Sequence, residues 1–268
     1  MLDGTLVAGG DGDERLARCQ AGLDFMHEAM PLFPRMHEMT LDHAHEEIQL
    51  LAVDIAGMLF DTTDVLPAWR DRYRSEDQTP MYARMRRALQ VLTWLRPGEG
   101  GVEGTRWVLK SPQHLEQLGP LLHTFPDATF VLTHRDPLAV TTSMTTMIAY
   151  SARMRSDHPD VPALSAYWMD RIALLLDAVT ADRDLLPAGQ AIDVRFDDFM
   201  ADEAGTVARI YECAGQPLDA RAEQAMADYV ATHPRGRHGG ITYDLDQLGL
   251  QADAIVERNH AYAEHFGV

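Results

Sequence analysis

The sequence predicts an α/β fold, with a helical first half followed by a parallel sheet flanked by helices. Two observations carry this reading. Up to Leu95 the apolar residues recur at three- and four-residue spacing, whereas after Gly104 short apolar runs alternate with capped helix starts. Each of those runs also delivers a cation at or beside its end.

Taken in order, residues 12–30 and 44–60 have helical periodicity. MYARMRRALQVLTWL, Met81 to Leu95, shows it most strongly, with Tyr82, Met85, Leu89 and Leu92 on one stripe. Pro97, Gly98, Gly100, Gly101 and Gly104 mark a loop. RWVLKSPQHL then reads as a strand over Arg106–Leu109 followed by a helix, with Ser111 as cap and Pro112 in the first turn. ATFVLTHRDPLAV repeats the arrangement as a buried strand over Thr129–Thr133, with cap Asp136 and Pro137 at the first helical position. AIDVRFDDFM supplies a third strand over Ile192–Arg195, and helices are expected over 202–214 and 218–231. In a parallel sheet, ligands bind beyond the carboxyl ends of the strands, which places Lys110, Ser111, His134 and Arg135 on one rim.

The 268 residues are 46% hydrophobic and 24% charged, as in globular rather than disordered chains. Acidic residues outnumber Lys and Arg by 41 to 23, a net charge of -18 that excludes duplex nucleic acid and anionic membranes as expected partners. No apolar run approaches the ~20 residues of a membrane span. The start, MLDGTLVAGGDGDERLARCQ, lacks a basic-then-apolar leader, so a cytoplasmic location is expected. Cys19 and Cys213 have no metal spacing.

Against that acidity the cationic islands stand out. Arg135 precedes a helix that carries Ser143 about two turns in, and an arginine fork with a hydroxyl suits a phosphate. Read alone, a pair of Arg135 with Asp136 or another surface carboxylate, with Ser143 merely exposed, is the better account. HPRGRHGG, His233 to Gly240, forms a second island in which Arg235, Gly236 and Arg237 can wrap an anion, or form an ordinary surface loop. Lys110 is the single lysine of the chain, and His114 follows one turn later. An imidazole that takes a hydroxyl proton and an ammonium that steadies a leaving oxygen make a workable pair, although a helix-surface histidine and a strand-end lysine explain the same residues. MHEMTLDHAHEE holds His37, His43, His45, Glu46 and Glu47 but has no HExxH signature, so no metal is expected.

Three separated motifs, RWVLKSPQHLEQLGPLLHTFPDATFVLTHRDPLAVTTSM, VRFDDFMAD and HPRGRHGGITYDLDQLGL, resemble those of bacterial sulfotransferases of the actinobacterial type. The resemblance runs from about Asp13 to the C-terminus. That family uses 3′-phosphoadenosine 5′-phosphosulfate (PAPS) as donor and releases adenosine 3′,5′-bisphosphate (PAP). The resemblance implies that Arg135 and Ser143 hold the 3′-phosphate with Arg235 and Gly236, that Phe196 lies near adenine, and that Lys110 matches the family's lysine. It points to His114 as the nearest candidate base, because Pro112 occupies the position where better-known members carry a histidine. The implied fold is a P-loop-like sheet in one domain, with 1–97 mainly helical on the acceptor side and 105–268 as the nucleotide-binding part. The family's G-x-x-R-[ST]-G-T-[ST] loop for the 5′-phosphosulfate does not occur among these residues. Its strand sits centrally in that sheet, so residues upstream of Met1 are expected to supply it.

The function expected is sulfuryl transfer from PAPS to a hydroxyl of a small-molecule or lipid acceptor, without a metal. Met147, Tyr150, Met154, Trp69 and Tyr73 are candidate linings of an apolar acceptor pocket, and helix-core roles explain them equally well. A catalytically incomplete binder of the bisphosphate, a phosphoryl transferase and a purely structural helical protein remain open at this level.

Overall fold

The computed structural model describes residues 14–41, 45–95 and 106–268. The helices that frame the site are α1 (Glu14–Ala29), α2 (Pro67–Ser75), α3 (Thr79–Leu95), α4 (Leu118–Thr124), α5 (Pro137–Ser151), α6 (Val161–Asp182), α7 (Glu203–Cys213), α8 (Ala220–Thr232), α9 (Ala252–Arg258) and α10 (His260–Phe266). Strand β1 (Phe130–His134) lies between α4 and α5, and β2 (Ala191–Arg195) between α6 and α7. Aspartates start many of these helices: Asp136, Asp160, Asp202 and Asp219 each accept a backbone N–H of the first turn. Part of the acid excess is therefore capping, where a carboxylate also meets the positive end of the helix dipole.

The two strands pair in parallel, from Phe130 opposite Ala191 to His134 opposite Arg195. The molecule is accordingly mostly helical around a two-stranded sheet, not the larger sheet expected. The first of the three expected strands, Arg106–Leu109, does not form. That segment is extended, but it finds side-chain anchors rather than a ladder: Arg106 donates to the Ala214 carbonyl at 2.6 Å and the Trp107 indole to Thr93 at 3.0 Å. A strand needs a neighbour to satisfy its backbone. Among the described residues none pairs with the free side of β1, and Val108 is 93% exposed. For the same reason β1 is not buried throughout, since Val131 and Thr133 face out while Leu132 and His134 face in.

Two helical expectations also change. The helix over 44–60 breaks into Ile48–Ala52 and a 3-10 turn, Met58–Thr62. The chain reverses between them through Ile55 at φ 58 and through Gly57, where a Cβ would lie 2.9 Å from the Ala52 nitrogen. Only glycine permits that approach. The predicted start at Ser111 is real as a cap, but it opens a 3-10 turn, Pro112–Glu116, before α4 begins.

The core forms around α6, which buries Trp168, Ile172, Leu176 and Val179 against Leu118, Leu132, Ile148 and Tyr262. Each such side chain contributes roughly 1.5–3 kcal/mol by leaving water. At its centre Arg171, 0% exposed, bonds Asp61 at 2.8 Å and forks onto Glu116, while Tyr167 donates to Asp61 at 2.5 Å. This network ties α6 to both 3-10 turns and so fixes where His114 sits.

His134 is not on the rim. Only 2% exposed, it stacks on Phe266 at 3.9 Å, with Nδ1 2.9 Å from the Tyr262 hydroxyl and Nε2 2.9 Å from Asp193. It faces inward because side chains alternate along a strand, so the strand that presents Arg135 must bury its predecessor. The imidazole clamps α10 to the sheet.

Candidate functional site

Because His134 and Arg195 are register partners, the chain leaves both strands at one level, and the next residues, Arg135 and Phe196, emerge together. The Arg135 guanidinium lies 4.2 Å from the Phe196 ring centre, and that of Arg235 lies 5.3 Å from it. Stacking on the ring orients both cations, at about 0.5–1 kcal/mol for exposed groups. Neither forms an ion pair with any described residue. Two guanidiniums oriented by one ring, without a carboxylate partner among the described residues, make a local cationic focus in a protein this acidic.

Arg235 is brought there by the loop that follows α8. Its backbone closes tightly, with Arg237 N–H to Pro234 O at 3.2 Å and Gly239 N–H to Gly236 O at 2.8 Å. Gly236 and Gly239 take φ of 71° and 95°, which side-chain-bearing residues adopt only with strain. Ser143 sits on α5, half-buried, and its Oγ is 3.3 Å from the donating hydroxyl of Tyr243. No hydrogen bond joins Ser143 to Arg135 among the described residues; Tyr243 is the partner the sequence did not reveal.

Lys110 and His114 belong to a second group, built on two adjacent acids. The Lys110 ammonium contacts Glu46, while its backbone N–H donates to Glu47 at 2.7 Å. The other oxygen of Glu47 meets His114 Nε2, and His114 Nδ1 lies 2.9 Å from the Tyr82 hydroxyl. Glu47 is only 7% exposed. Burial by itself would raise its pKa, but the hydrogen bond and charge of His114 and the Lys110 N–H hold the carboxyl below its ordinary value. Tyr82, buried beside acids, is pushed well above the usual phenol range and serves as a hydroxyl partner, not an ionised one. Desolvation pulls the pKa of Lys110 downward, while Glu46 lies against its ammonium.

All but one of the expected residues thus fall into two assemblies: Arg135, Phe196 and Arg235 with Gly236 beside them, and Lys110 with His114; Ser143 is joined to neither by a hydrogen bond among the described residues and pairs with Tyr243 instead. Glu46 and Glu47, visible in sequence only within a histidine run, are the connectors of the second. His43 of that run lies outside the described residues, and among these no group of three or more ligating side chains is placed to hold a metal. Of the residues considered for an acceptor pocket, Tyr73 is buried against Trp69 at 5.3 Å and bonds Gln117, and Tyr150 accepts from the Leu32 N–H at 3.0 Å. Those two serve the helical framework.

A model of the sulfotransferase family matches residues 7–220. The chain belongs to the sulfotransferase family. Among solved structures, it is similar to sulfotransferase STF1 from Mycobacterium tuberculosis H37Rv, with 29% identity and a TM-score of 0.74 over 91% of this chain. It is likewise similar to sulfotransferase STF9 from Mycobacterium avium, with 26% identity and a TM-score of 0.77 over 94% of this chain. The chain spans 62% and 64% of the lengths of those two proteins. No curated protein matches it significantly by sequence. Sulfotransferase membership agrees with the motifs read from the sequence, and among the described residues no helix is long and apolar enough to cross a membrane.

Proposed function

We propose that this sulfotransferase moves a sulfuryl group from PAPS to a hydroxyl of a small acceptor. The observation that carries the reading is the pair of guanidiniums, Arg135 and Arg235, stacked on Phe196 with no carboxylate partner among the described residues. A 3′-phosphate dianion matches two arginine forks, and the Phe196 ring beside them offers adenine an apolar face. Ser143 and the turn at Gly236 add donors, so the 3′-phosphate is held by residues from the ends of both strands and from the loop after α8.

In the reaction, the acceptor oxygen bonds to sulfur as the bond from sulfur to the 5′-phosphate oxygen breaks, and the acceptor proton must leave. His114 and Glu47 form the basic pair that receives it, with His114 fixed by Tyr82. Lys110, whose backbone N–H bonds Glu47 and whose ammonium contacts Glu46, steadies charge on the departing oxygen. On this reading residues 105–268 hold the nucleotide and residues 1–97 face the acceptor.

The test is calorimetric binding of PAP against adenosine 5′-monophosphate, followed by transfer from radiolabelled PAPS to phenolic and sterol alcohols. PAP is expected to bind at least about tenfold tighter, since the 3′-phosphate adds charge-assisted bonds. Equal affinities would remove the basis of the proposal. Binding without transfer would select the catalytically incomplete binder.

A further inference from the structure

The loop after α8 has two faces. Arg235 turns to Phe196, whereas Arg237 and His238 turn to the segment around Pro34–Glu38, where a cavity of about 290 Å³ opens. Its cationic side is Arg35, Arg237 and His238. Its walls are apolar or aromatic: Pro34, Pro234 and Tyr229, whose ring stacks on His233 at 4.0 Å. Arg35 lies close to Gly239, where a Cβ would meet its guanidinium carbon at 3.3 Å. It donates only a long bond, 3.4 Å, to the Gly240 carbonyl and makes no ion pair with a described residue.

One acidic residue lines this cavity. Glu38 accepts from Arg237 and lies 3.3 Å from His238. Burial would raise its pKa, but those two cations hold it below the ordinary carboxylate range. The cavity therefore already contains an oxyanion, supplied by the chain itself, on donors that would suit a ligand's. His238 Nε2 is also 3.1 Å from Arg237 Nε, so this nitrogen cannot satisfy both neighbours in one protonation state.

We propose that this cavity is a second ligand site, separate from the nucleotide's, for a small carboxylate, sulfate or phosphate ester on an aromatic or alicyclic body. The oxyanion bonds Arg35 and displaces Glu38 from Arg237, and the body lies against Tyr229 and the two prolines. A volume near 300 Å³ is at the lower end of small-molecule pockets, which limits the ligand to about one ring and its substituents. The inference stands independently of the sulfuryl-transfer reading, because it uses the opposite face of the loop.

The test titrates the protein by calorimetry at constant ionic strength with 4-nitrophenyl sulfate, inorganic sulfate, benzoate and the neutral isostere benzamide. Saturable binding is expected for the aryl sulfate and benzoate, weaker binding for inorganic sulfate, and none for benzamide. Arg35→Met and Arg237→Met each weaken the aryl sulfate by about tenfold or more, the effect of losing one charge-assisted bond. Glu38→Gln strengthens it by roughly threefold or more, because the internal competitor loses its charge. A surface salt bridge with no ligand role predicts no gain in that variant. Arg135→Met leaves the aryl sulfate unaffected while weakening PAP, which separates this site from the nucleotide's. The proposal is overturned by failure of the wild type to saturate, by loss in Arg135→Met instead of Arg35→Met, or by a Glu38→Gln variant that binds no better.

Discussion

Arg135 offers the sharpest perturbation, because its contribution can be worked from what it touches. Its guanidinium carries no ion pair within the described chain and rests 4.2 Å from the Phe196 ring. Replacing it with methionine thus removes a ligand contact without orphaning a buried acid, and folding should be spared. One charge-assisted hydrogen bond is worth about 1.5–3 kcal/mol, or roughly a 10- to 150-fold loss of PAP affinity at 1.4 kcal/mol per decade. Arg235→Met should cost a similar amount. If both forks hold one phosphate, the survivor re-centres the ligand and softens each single loss, so the double variant loses more than the sum of the single losses. Isothermal titration of the four proteins with PAP closes the cycle. Losses that add without coupling would mean that the two arginines grip different groups, and unchanged affinity in both single variants would show that this rim does not bind the nucleotide at all.

Three further outcomes follow from the geometry. Glu47→Gln should lower kcat by about 10- to 100-fold with a smaller change in KM, and histidine nitrogen NMR should show His114 losing its fixed tautomer; an unchanged imidazole signal would remove Glu47 from its positioning role. Arg171→Met strands Asp61 and Glu116 in the core and should cost about 3–5 kcal/mol in urea unfolding, whereas a loss under about 1 kcal/mol would mean that water reaches them. Stability should fall on acidification below about pH 6.5, because burial, the leading cause, keeps His134 neutral in the folded protein while the unfolded chain takes up the proton. The slope from that group is at most about 1.4 kcal/mol per pH unit, and His134→Gln should flatten it.

How much of this was legible in the sequence depends on the range of the forces involved. Helix starts were readable because their determinants are local: Asp136 before Pro137 and Ser111 before Pro112 each cap within two residues. The positions of β1 and β2 were readable from short apolar runs bounded by turn signals. The fate of Arg106–Leu109 was not, since an apolar run states that a segment can pair but not whether a neighbour is there. His134 was misplaced for a related reason: adjacency to Arg135 in sequence implies opposite faces on a strand, and only the contacts with Tyr262 and Phe266 show which face is inward. At the site, Arg135, Phe196 and Arg235 were found as motif residues. Glu47, Tyr82 and Tyr243 were not, because each acts through a partner between 32 and 100 positions away. The adjacent acids Glu46 and Glu47 were the available signal, obscured by their histidine neighbours.

The charge distribution adds a constraint that no single motif shows. Three of the cations near the site are neutralised from within: Lys110 by Glu46, and Arg237 and, when protonated, His238 by Glu38. Arg135 and Arg235 are not. On the proposed function, the long-range field of a chain of net charge -18 repels the anionic nucleotide, and capture then depends on a local focus strong enough to overcome it. Two bare guanidiniums on one ring provide that focus, and their mutual repulsion is tolerable because both are exposed and water screens them. Lys110, Arg237 and His238 already carry carboxylate partners and add little to that focus. Raising salt should consequently have two opposed effects on association: it weakens the general repulsion from the acidic surface and also the local attraction at Arg135 and Arg235. A weak salt dependence of the PAP on-rate in the wild type, turning into acceleration by salt in Arg135→Met, is the behaviour this opposition requires.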